Sequence, residues 1–585
     1  MEKLRKTKIV CTLGPATEDD RILREMILSG MNVARLNFSH GTHEGHLKNI
    51  QRVRSMSESM NRPIGIMLDT KGPEIRLTNF KEGKVTLTKG QHFTLCTYPV
   101  EGTAEKAGIT YKNLPSDVAA GSRILIDDGL VGMTVESVSE DEILCRVDND
   151  GVVSNHKGIN VPDVELSMPF ISEKDREDII FGAQHDVDFI AASFTRTAQD
   201  ILEIRKLLSD IGKKNISIIA KIENMQGVQN ISEILRVSEG IMVARGDLGV
   251  EVPLERVPVI QKMLIHKAYS SGKQVITATQ MLDSMMKNPR PTRAESTDVA
   301  NAIYDGTSAI MLSGETAAGL YPVEAVQTMA RIAKTAEGDI NYVKRFKERA
   351  AEESPDITNA ISHATCTSAQ DLGATAIITV TKTGKTAKMI SKFRPDCPII
   401  CCTTDRTVLH QLCLSWGVIP LLIDEVYSTD DLFETAVEAG EKAGLLHDGE
   451  LVVMTAGVPL GIGGTTNLMK VHVVGHILVT GQGVTEQECC AKLCVCRAAE
   501  EALKTFTDGD ILVIPQTSNQ LLPLIRKASG LILESDDPNG HGAIAGMSLN
   551  LPVIIGAENA TKILKSGAVV KLSAEHGTVS SVDTQ

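Results

Sequence analysis

Lys221, Glu223 and Asp247 are the residues of this sequence best placed to do chemistry together. Ile216-Ser-Ile-Ile-Ala runs into Lys221-Ile-Glu223, and Gly240-Ile-Met-Val-Ala runs into Arg245-Gly246-Asp247, so two apolar runs end in charge. Residues two apart in a strand share a face, which points Lys221 and Glu223 the same way. Carboxylates on neighbouring strands suit Mg2+ or Mn2+, ions that prefer oxygen ligands and keep positions open for substrate and water. A fixed ammonium beside such a metal suits a reaction whose transition state spreads negative charge. Plainer readings stay open. Acidic residues are common at strand ends, and Lys221 could pair with Glu223 on a surface. Its place after a run of apolar residues favours a substrate-facing role.

Other polar residues extend this set. Arg35, Asn37 and Ser39 share a face if extended chain continues past Leu36. With Arg76 they suggest phosphate recognition near a metal, because the planar guanidinium matches phosphate oxygens. Oxygens of Asn37, Ser39, Asp69 and Thr70 suit a monovalent cation. Arg245-Gly246-Asp247-Leu-Gly249 turns strand into helix, and free N–H groups at such a turn bind carboxylates or phosphates. Farther on, Thr381-Lys-Thr383-Gly384-Lys385-Thr386 places hydroxyls, amides and a lysine at a strand-to-helix turn. The P-loop pattern fails there, since its first glycine would fall at Thr379. A phosphate pocket serving an effector is one reading; a plain capped helix start is the other.

The elements that must position these groups are legible as short apolar runs with helical stretches between them. They are Thr7–Leu13, Met31–Leu36, Pro63–Leu68, Val187–Ala192, Ile216–Ala220, Gly240–Ala244, Gln274–Ala278 and Ser308–Leu312. Runs without alternation read as strands buried on both faces of a parallel sheet. Eight βα units predict an α/β fold, a closed (β/α)8 TIM barrel with its chemistry at the C-terminal strand ends. The polar residues gather at those ends, Ser193, Thr279 and Ser313-Gly-Glu315 among them. The barrel comprises residues 1–71 and 168–340. Between them, residues 72–167 alternate in the β manner with glycine turns, predicting a small inserted β domain, either a mobile lid or a passive insertion. A charged helix near Lys344 leads to an α/β domain over 341–474, and a last α/β block covers 475–585.

Composition narrows the function. The chain has 585 residues, 60 Lys+Arg against 74 Asp+Glu and a net charge of −14, which disfavours nucleic-acid binding. No apolar stretch approaches a membrane span and no signal peptide is evident, so a cytoplasmic enzyme is expected. Twelve cysteines in so long a chain do not form a disulfide framework. The cluster Cys489, Cys490, Cys494 and Cys496 lacks metal-ligand spacing and reads as a reduced helix.

Taken together, these segments closely resemble the pyruvate kinase family. The resemblance is carried in order by Lys6-Thr-Lys-Ile-Val-Cys-Thr-Leu-Gly-Pro15, Asn32-Val-Ala-Arg-Leu-Asn-Phe-Ser-His-Gly41, Leu68-Asp-Thr-Lys-Gly-Pro-Glu-Ile-Arg76, Ile219-Ala-Lys-Ile-Glu-Asn224, Met242-Val-Ala-Arg-Gly-Asp-Leu-Gly249, Thr277-Ala-Thr-Gln-Met-Leu282, Pro291-Thr-Arg-Ala-Glu295 and Met311-Leu-Ser-Gly-Glu-Thr316. It implies glycolytic transfer of phosphoryl from phosphoenolpyruvate to ADP, giving pyruvate and ATP. Lys221 would stabilise the phosphoryl group in flight, and Glu223 and Asp247 would hold Mg2+. The amides of Gly246 and Asp247 would receive the substrate carboxylate, with Thr279 near the protonated face of the enolate. Arg35 and Arg76 would grip phosphate, with His40 and Lys157 toward the nucleotide. Asn37, Ser39, Asp69 and Thr70 would ligate K+, and Glu74 matches potassium-dependent members. Thr381, Thr383, Gly384, Lys385 and Thr386 match an allosteric phosphate loop, with Gly457–Thr466 closing over it. A homotetramer is implied. Residues 475–585 resemble the phosphohistidine domain of phosphoenolpyruvate-utilising enzymes. The motif at His541 lacks the usual Gly-Gly pair and the preceding Ser or Thr, and Asp536 and Asp537 would repel phosphate. A structural or interface role is expected there.

Overall fold

A computed structural model describes residues 4–349, 356–426, 428–458, 466–475 and 477–581. The chain up to Pro355 together with Thr381–Leu422 makes one compact unit; Asp356–Val380 together with the chain from Ile423 makes a second.

In the first unit eight parallel strands close into a barrel: β1 (Lys8–Thr12), β2 (Val33–Asn37), β3 (Gly65–Asp69), β4 (Phe189–Ala192), β5 (Ser217–Ile222), β6 (Gly240–Ala244), β7 (Gln274–Ala278) and β8 (Ala309–Leu312). Burial on both sides explains their unbroken apolar runs. Ile9, Ala34, Leu36, Ile66, Ile218 and Val243 pack outward under the helices. The alternate positions Val10, Val33, Met67, Phe189, Ile219, Met242 and Ile276 fill the interior.

That interior is sealed at its N-terminal pole by chain from beyond the barrel. Cys413 and Leu414 belong to the inner cluster. Ser415 Oγ accepts from Gln274 Nε2 at 2.8 Å, at the start of β7, and Val418 O accepts from Lys8 Nζ at 2.6 Å, at the start of β1. The opposite pole carries the helix starts. Thr42, Ser172 and Asn224 each accept an N–H of the helix that follows, which satisfies donors that would otherwise lack partners.

The inserted β domain lies between β3 and β4. Its seven-stranded sheet runs in the order Ile75–Arg76, Gly158–Asn160, Arg123–Ile126, Val131–Val138, Glu142–Val147, His92–Cys96 and Lys106–Gly108; Lys84–Leu87 pairs with Gly151–Ser154. Phe80, Phe93, Leu95, Ile124, Met133 and Ile143 give it a core of its own. A helix over Glu173–Gln184 then returns the chain to the barrel.

Later segments repeat the α/β pattern. Ile399–Thr403 pairs in parallel with Val418–Leu422 in the first unit. In the second, Ala376–Val380 pairs in parallel with Leu451–Ala456, which pairs antiparallel with Leu468–Val473. The C-terminal residues build an eight-stranded mixed sheet. The helix expected at Cys489–Cys496 does not form. The cysteine cluster lies on a strand, Glu488–Val495, not a helix, with Cys496 just beyond it. Antiparallel pairing with Val569–Ser573 and parallel pairing with Ile511–Ile514 override the weak local preference of Cys-Cys-Ala-Lys-Leu-Cys. None of the twelve cysteines forms a disulfide. Among the described residues no helix is long and apolar enough to cross a membrane.

Candidate active site

Lys221, the penultimate residue of β5, stands among oxygens at the C-terminal pole. Its Nζ lies 2.7 Å from Ser193 Oγ, 3.1 Å from Asp69 Oδ1 and 3.0 Å from Glu223 Oε1. Asp69, the last residue of β3, also accepts Arg35 Nε at 2.6 Å, and Arg35 Nη1 donates to Thr12 Oγ1 at 2.9 Å. Four strands and the loop after a fifth therefore hold two cations around one buried carboxylate. Burial alone would drive Lys221 toward neutrality, but Asp69 and Glu223 outweigh it and hold the ammonium above its ordinary range. Asp69 shows the converse balance. Burial opposes its charge, while Arg35 and Lys221 hold its carboxyl below the usual value.

Glu223 is the least satisfied member. Its Oε2 accepts the N–H of Phe194 at 2.5 Å, while its buried Oε1 accepts no hydrogen bond despite the nearby ammonium. Burial, with the charge of Asp247 adding and that of Lys221 opposing, raises its carboxyl to about 7. Such a buried, under-bonded oxygen is what a cation would complete. Among the described residues no three His, Cys, Asp or Glu side chains form a metal cage. Mg2+ needs none, because it is held by one or two carboxylates with substrate oxygens and water completing the octahedron. Glu223 and Asp247 fit that requirement. For a monovalent cation, Asn37 and Asp69 are register partners across β2 and β3, so their oxygens share one edge. Asn37 Oδ1 accepts Ser39 N at 3.1 Å, and Thr70 Oγ1 accepts Ser193 N at 3.1 Å. These hard oxygens with a single carboxylate fit K+.

Asp247 sits in the first turn of the helix Arg245–Glu251. It lines a cavity of about 480 Å3 between the barrel pole and the inserted domain, with Glu74, Arg76, Lys157, Arg196 and Glu251. Thr279 follows β7 in the left-handed region at φ +68°, as does Gln280 at +53°. For a β-branched residue this conformation costs about 1–3 kcal/mol and must be imposed by its surroundings. Its Oγ1 accepts Gly246 N at 2.8 Å and donates to Ala278 O at 2.6 Å.

The remaining sequence candidates divide. Arg76 is not drawn into the Lys221 cluster. It pairs with Glu74, donates to His156 O at 2.7 Å and faces the cavity from the inserted domain. Lys157, also there, pairs with Asp127 at 2.8 Å. His40 is exposed, and its carbonyl accepts His46 Nε2 at 2.8 Å. Thr381 Oγ1 accepts Gly384 N at 3.2 Å and Thr383 N at 3.4 Å, and Gly384 has φ +73° at the start of the helix Lys385–Lys392. Thr383 and Lys385 are exposed there and Thr386 is buried. Most of the loop expected to close over them, residues 459–465, lies outside the described residues. His541 opens the helix His541–Ser548, its Nδ1 3.0 Å from Thr517 Oγ1. Sequence reasoning placed Ser193 at a strand end without giving it a task, and it missed Arg245, whose guanidinium binds the backbone of the Thr279 turn. The one signal for Arg245 was a charge set at the end of an apolar run.

A closed parallel barrel with a buried lysine–carboxylate cluster at its C-terminal pole defines a (β/α)8-barrel enzyme. The sequence profile for "Pyruvate kinase, barrel domain" matches residues 4–326, that for "Pyruvate kinase, alpha/beta domain" residues 359–472, and that for "PEP-utilising enzyme, mobile domain" residues 506–577. A pyruvate kinase of Geobacillus stearothermophilus is 49% identical over 98% of both chains, and one of Sporosarcina psychrophila is 49% identical over 98% of this chain and 99% of its own. The crystal structure of a pyruvate kinase from Cryptosporidium parvum superposes with a TM-score of 0.77 at 40% identity, covering 80% of this chain and 96% of that one. The chain belongs to the pyruvate kinase family and is a phosphotransferase.

Proposed function

We propose that the chain transfers the phosphoryl group of phosphoenolpyruvate to ADP, yielding pyruvate and ATP in glycolysis. The observation that carries this reading is the Lys221 ammonium, kept charged by Asp69 and Glu223 and oriented by Ser193. A phosphoryl group in flight spreads negative charge over its oxygens, and a pre-oriented cation in a site shielded from water stabilises it without reorganising. Arg35, locked by Asp69 and Thr12, grips the same phosphate. Glu223 and Asp247 would hold Mg2+ or Mn2+, which when bound supplies Lewis-acid stabilisation to substrate oxygens. Asn37, Ser39, Asp69 and Thr70 would hold K+.

The substrate carboxylate is received by the amides around Gly246 and Asp247. Since Thr279 Oγ1 takes the Gly246 N–H, carboxylate binding there displaces this hydroxyl and frees it to order water at the enolate carbon. Arg76, Lys157 and His40 serve the nucleotide; the first two face the cavity. Thr381, Thr383, Gly384, Lys385 and Thr386 receive a phosphorylated effector, a sugar phosphate or nucleotide. We further propose a cytoplasmic homotetramer. A lactate dehydrogenase-coupled assay with phosphoenolpyruvate and ADP tests the reaction, with Mg2+, K+ and each effector omitted in turn. Turnover that requires Mg2+ and K+ and responds to one phosphate is expected. Absence of turnover in every combination contradicts the reading.

A further inference from the structure

Arg245 is a cation at the barrel pole to which the reaction above gives no task. Its guanidinium binds the turn after β7. Nε donates to Ala278 O at 3.1 Å and Nη2 to Thr279 O at 2.7 Å, so one rigid fork spans two successive carbonyls. Nη1 is anchored by Asp298 Oδ1 at 2.6 Å, on the helix Arg293–Asp305. Nη2 also lies 2.9 Å from Met281 Sδ, on the far side of the turn. The two residues between these contacts, Thr279 and Gln280, are those held in the left-handed region.

Left-handed backbone at a β-branched residue persists only where the surroundings over-determine it. Here one requirement comes from the Thr279 hydroxyl, through Gly246 N and Ala278 O. The hydroxyl must be released for Gly246 N to meet a carboxylate. Once it is, the fork of Arg245, anchored by Asp298, still ties the Ala278 and Thr279 carbonyls, while Leu282 N donates to Glu315 Oε1 at 3.0 Å at the far end of the turn.

We propose that Arg245 is a positioning residue. It fixes the Thr279 turn so that the threonine hydroxyl stays aimed at the enolate carbon when Gly246 N is engaged by substrate. This rests on the proposed role of Thr279 in delivering a proton, through water, to the enolate carbon that becomes the methyl group of pyruvate. Arg245 touches neither substrate nor proton and acts only through Thr279.

A double-mutant cycle on the full-length enzyme tests this with Arg245→Met, Thr279→Ala and the double variant. Two readouts are followed: steady-state kcat and KM for phosphoenolpyruvate, and deuterium entry from D2O into the methyl group of pyruvate with Mg2+, K+ and ATP present. A geometric loss of this kind lowers rate on the order of 10²-fold. We expect Arg245→Met to lower kcat and methyl exchange together, with little change in KM. In the double variant we expect no loss beyond that of Thr279→Ala, because residues acting as one unit are not additive. Losses that multiply, or an Arg245→Met enzyme with altered KM but intact exchange, overturn the inference alone. A Thr279→Ala enzyme with intact exchange overturns the role given to Thr279, and this inference with it. Should Arg245→Met fail to fold, Asp298→Asn releases the same fork and is expected to show a smaller loss with the same non-additivity; independent losses there overturn the inference equally.

Discussion

Glu223 shows how a single side chain can be poor for the fold and right for the site. Burial raises its carboxyl to about 7 from an ordinary 4.5, so below that value the metal-free fold favours the protonated form. A raised value gives a contribution that is complete below 4.5 and is lost as pH rises through 7. Metal-free protein is therefore expected to lose stability across that window from this group. Glu223→Gln should raise the metal-free melting temperature at alkaline pH while abolishing turnover; an unchanged melting temperature there would contradict the burial argument. Metal binding requires the carboxylate, so Mg2+ affinity should climb through the same window and release a proton, measurable by titration calorimetry in two buffers. At this scale the sequence reads well for groups that end strands. Lys221, Glu223 and Asp69 were identifiable from charge following an apolar run and Arg35 from charge near the end of one, and the structure links Arg35 to Asp69, Asp69 to Lys221 and Lys221 to Glu223 by direct contact. Arg76 was legible as a cation but not in its direction. Its strand, Ile75–Arg76, belongs to the inserted sheet, and Glu74 and the His156 carbonyl claim the guanidinium.

Barrel strands were legible because both faces are buried, and their ends fell within a few residues of expectation. What no local pattern carries is the seal of the N-terminal pole. Leu414, just past the helix Arg406–Leu412, packs among Val10, Met67, Phe189 and Met242 inside the barrel. Leu414→Ala should destabilise the first unit by about 2–5 kcal/mol. Thermal unfolding followed at a barrel probe would check this, and a loss near zero would mean that the interior closes without it. The strand Glu488–Val495 was missed for a related reason. Its alternation is blurred by Cys489 and Ala491, each only half-buried, and its stability comes from partners far along the chain.

Across the whole molecule, the barrel, the inserted β domain and the later α/β segments followed from periodicity and spacing, while the purpose of the C-terminal residues did not. Residues 506–577 match a domain of phosphoenolpyruvate-utilising enzymes. Their sheet has its own cores around Leu512, Leu531 and Val553 on one side and Val513, Ile532 and Ile554 on the other. Phosphoryl transfer between two bound small substrates calls for no histidine carrier. His541→Ala should therefore leave ADP-dependent turnover intact; loss of turnover in a folded variant would give this domain a part in the reaction. The central claim is that one buried ammonium, held charged by two carboxylates, carries phosphoryl transfer. Its most direct test is the turnover of Lys221→Met, with binding of phosphoenolpyruvate measured alongside. We predict that kcat falls by at least about 10³-fold while phosphoenolpyruvate still binds. A folded Lys221→Met enzyme that makes pyruvate at the parent rate would contradict it.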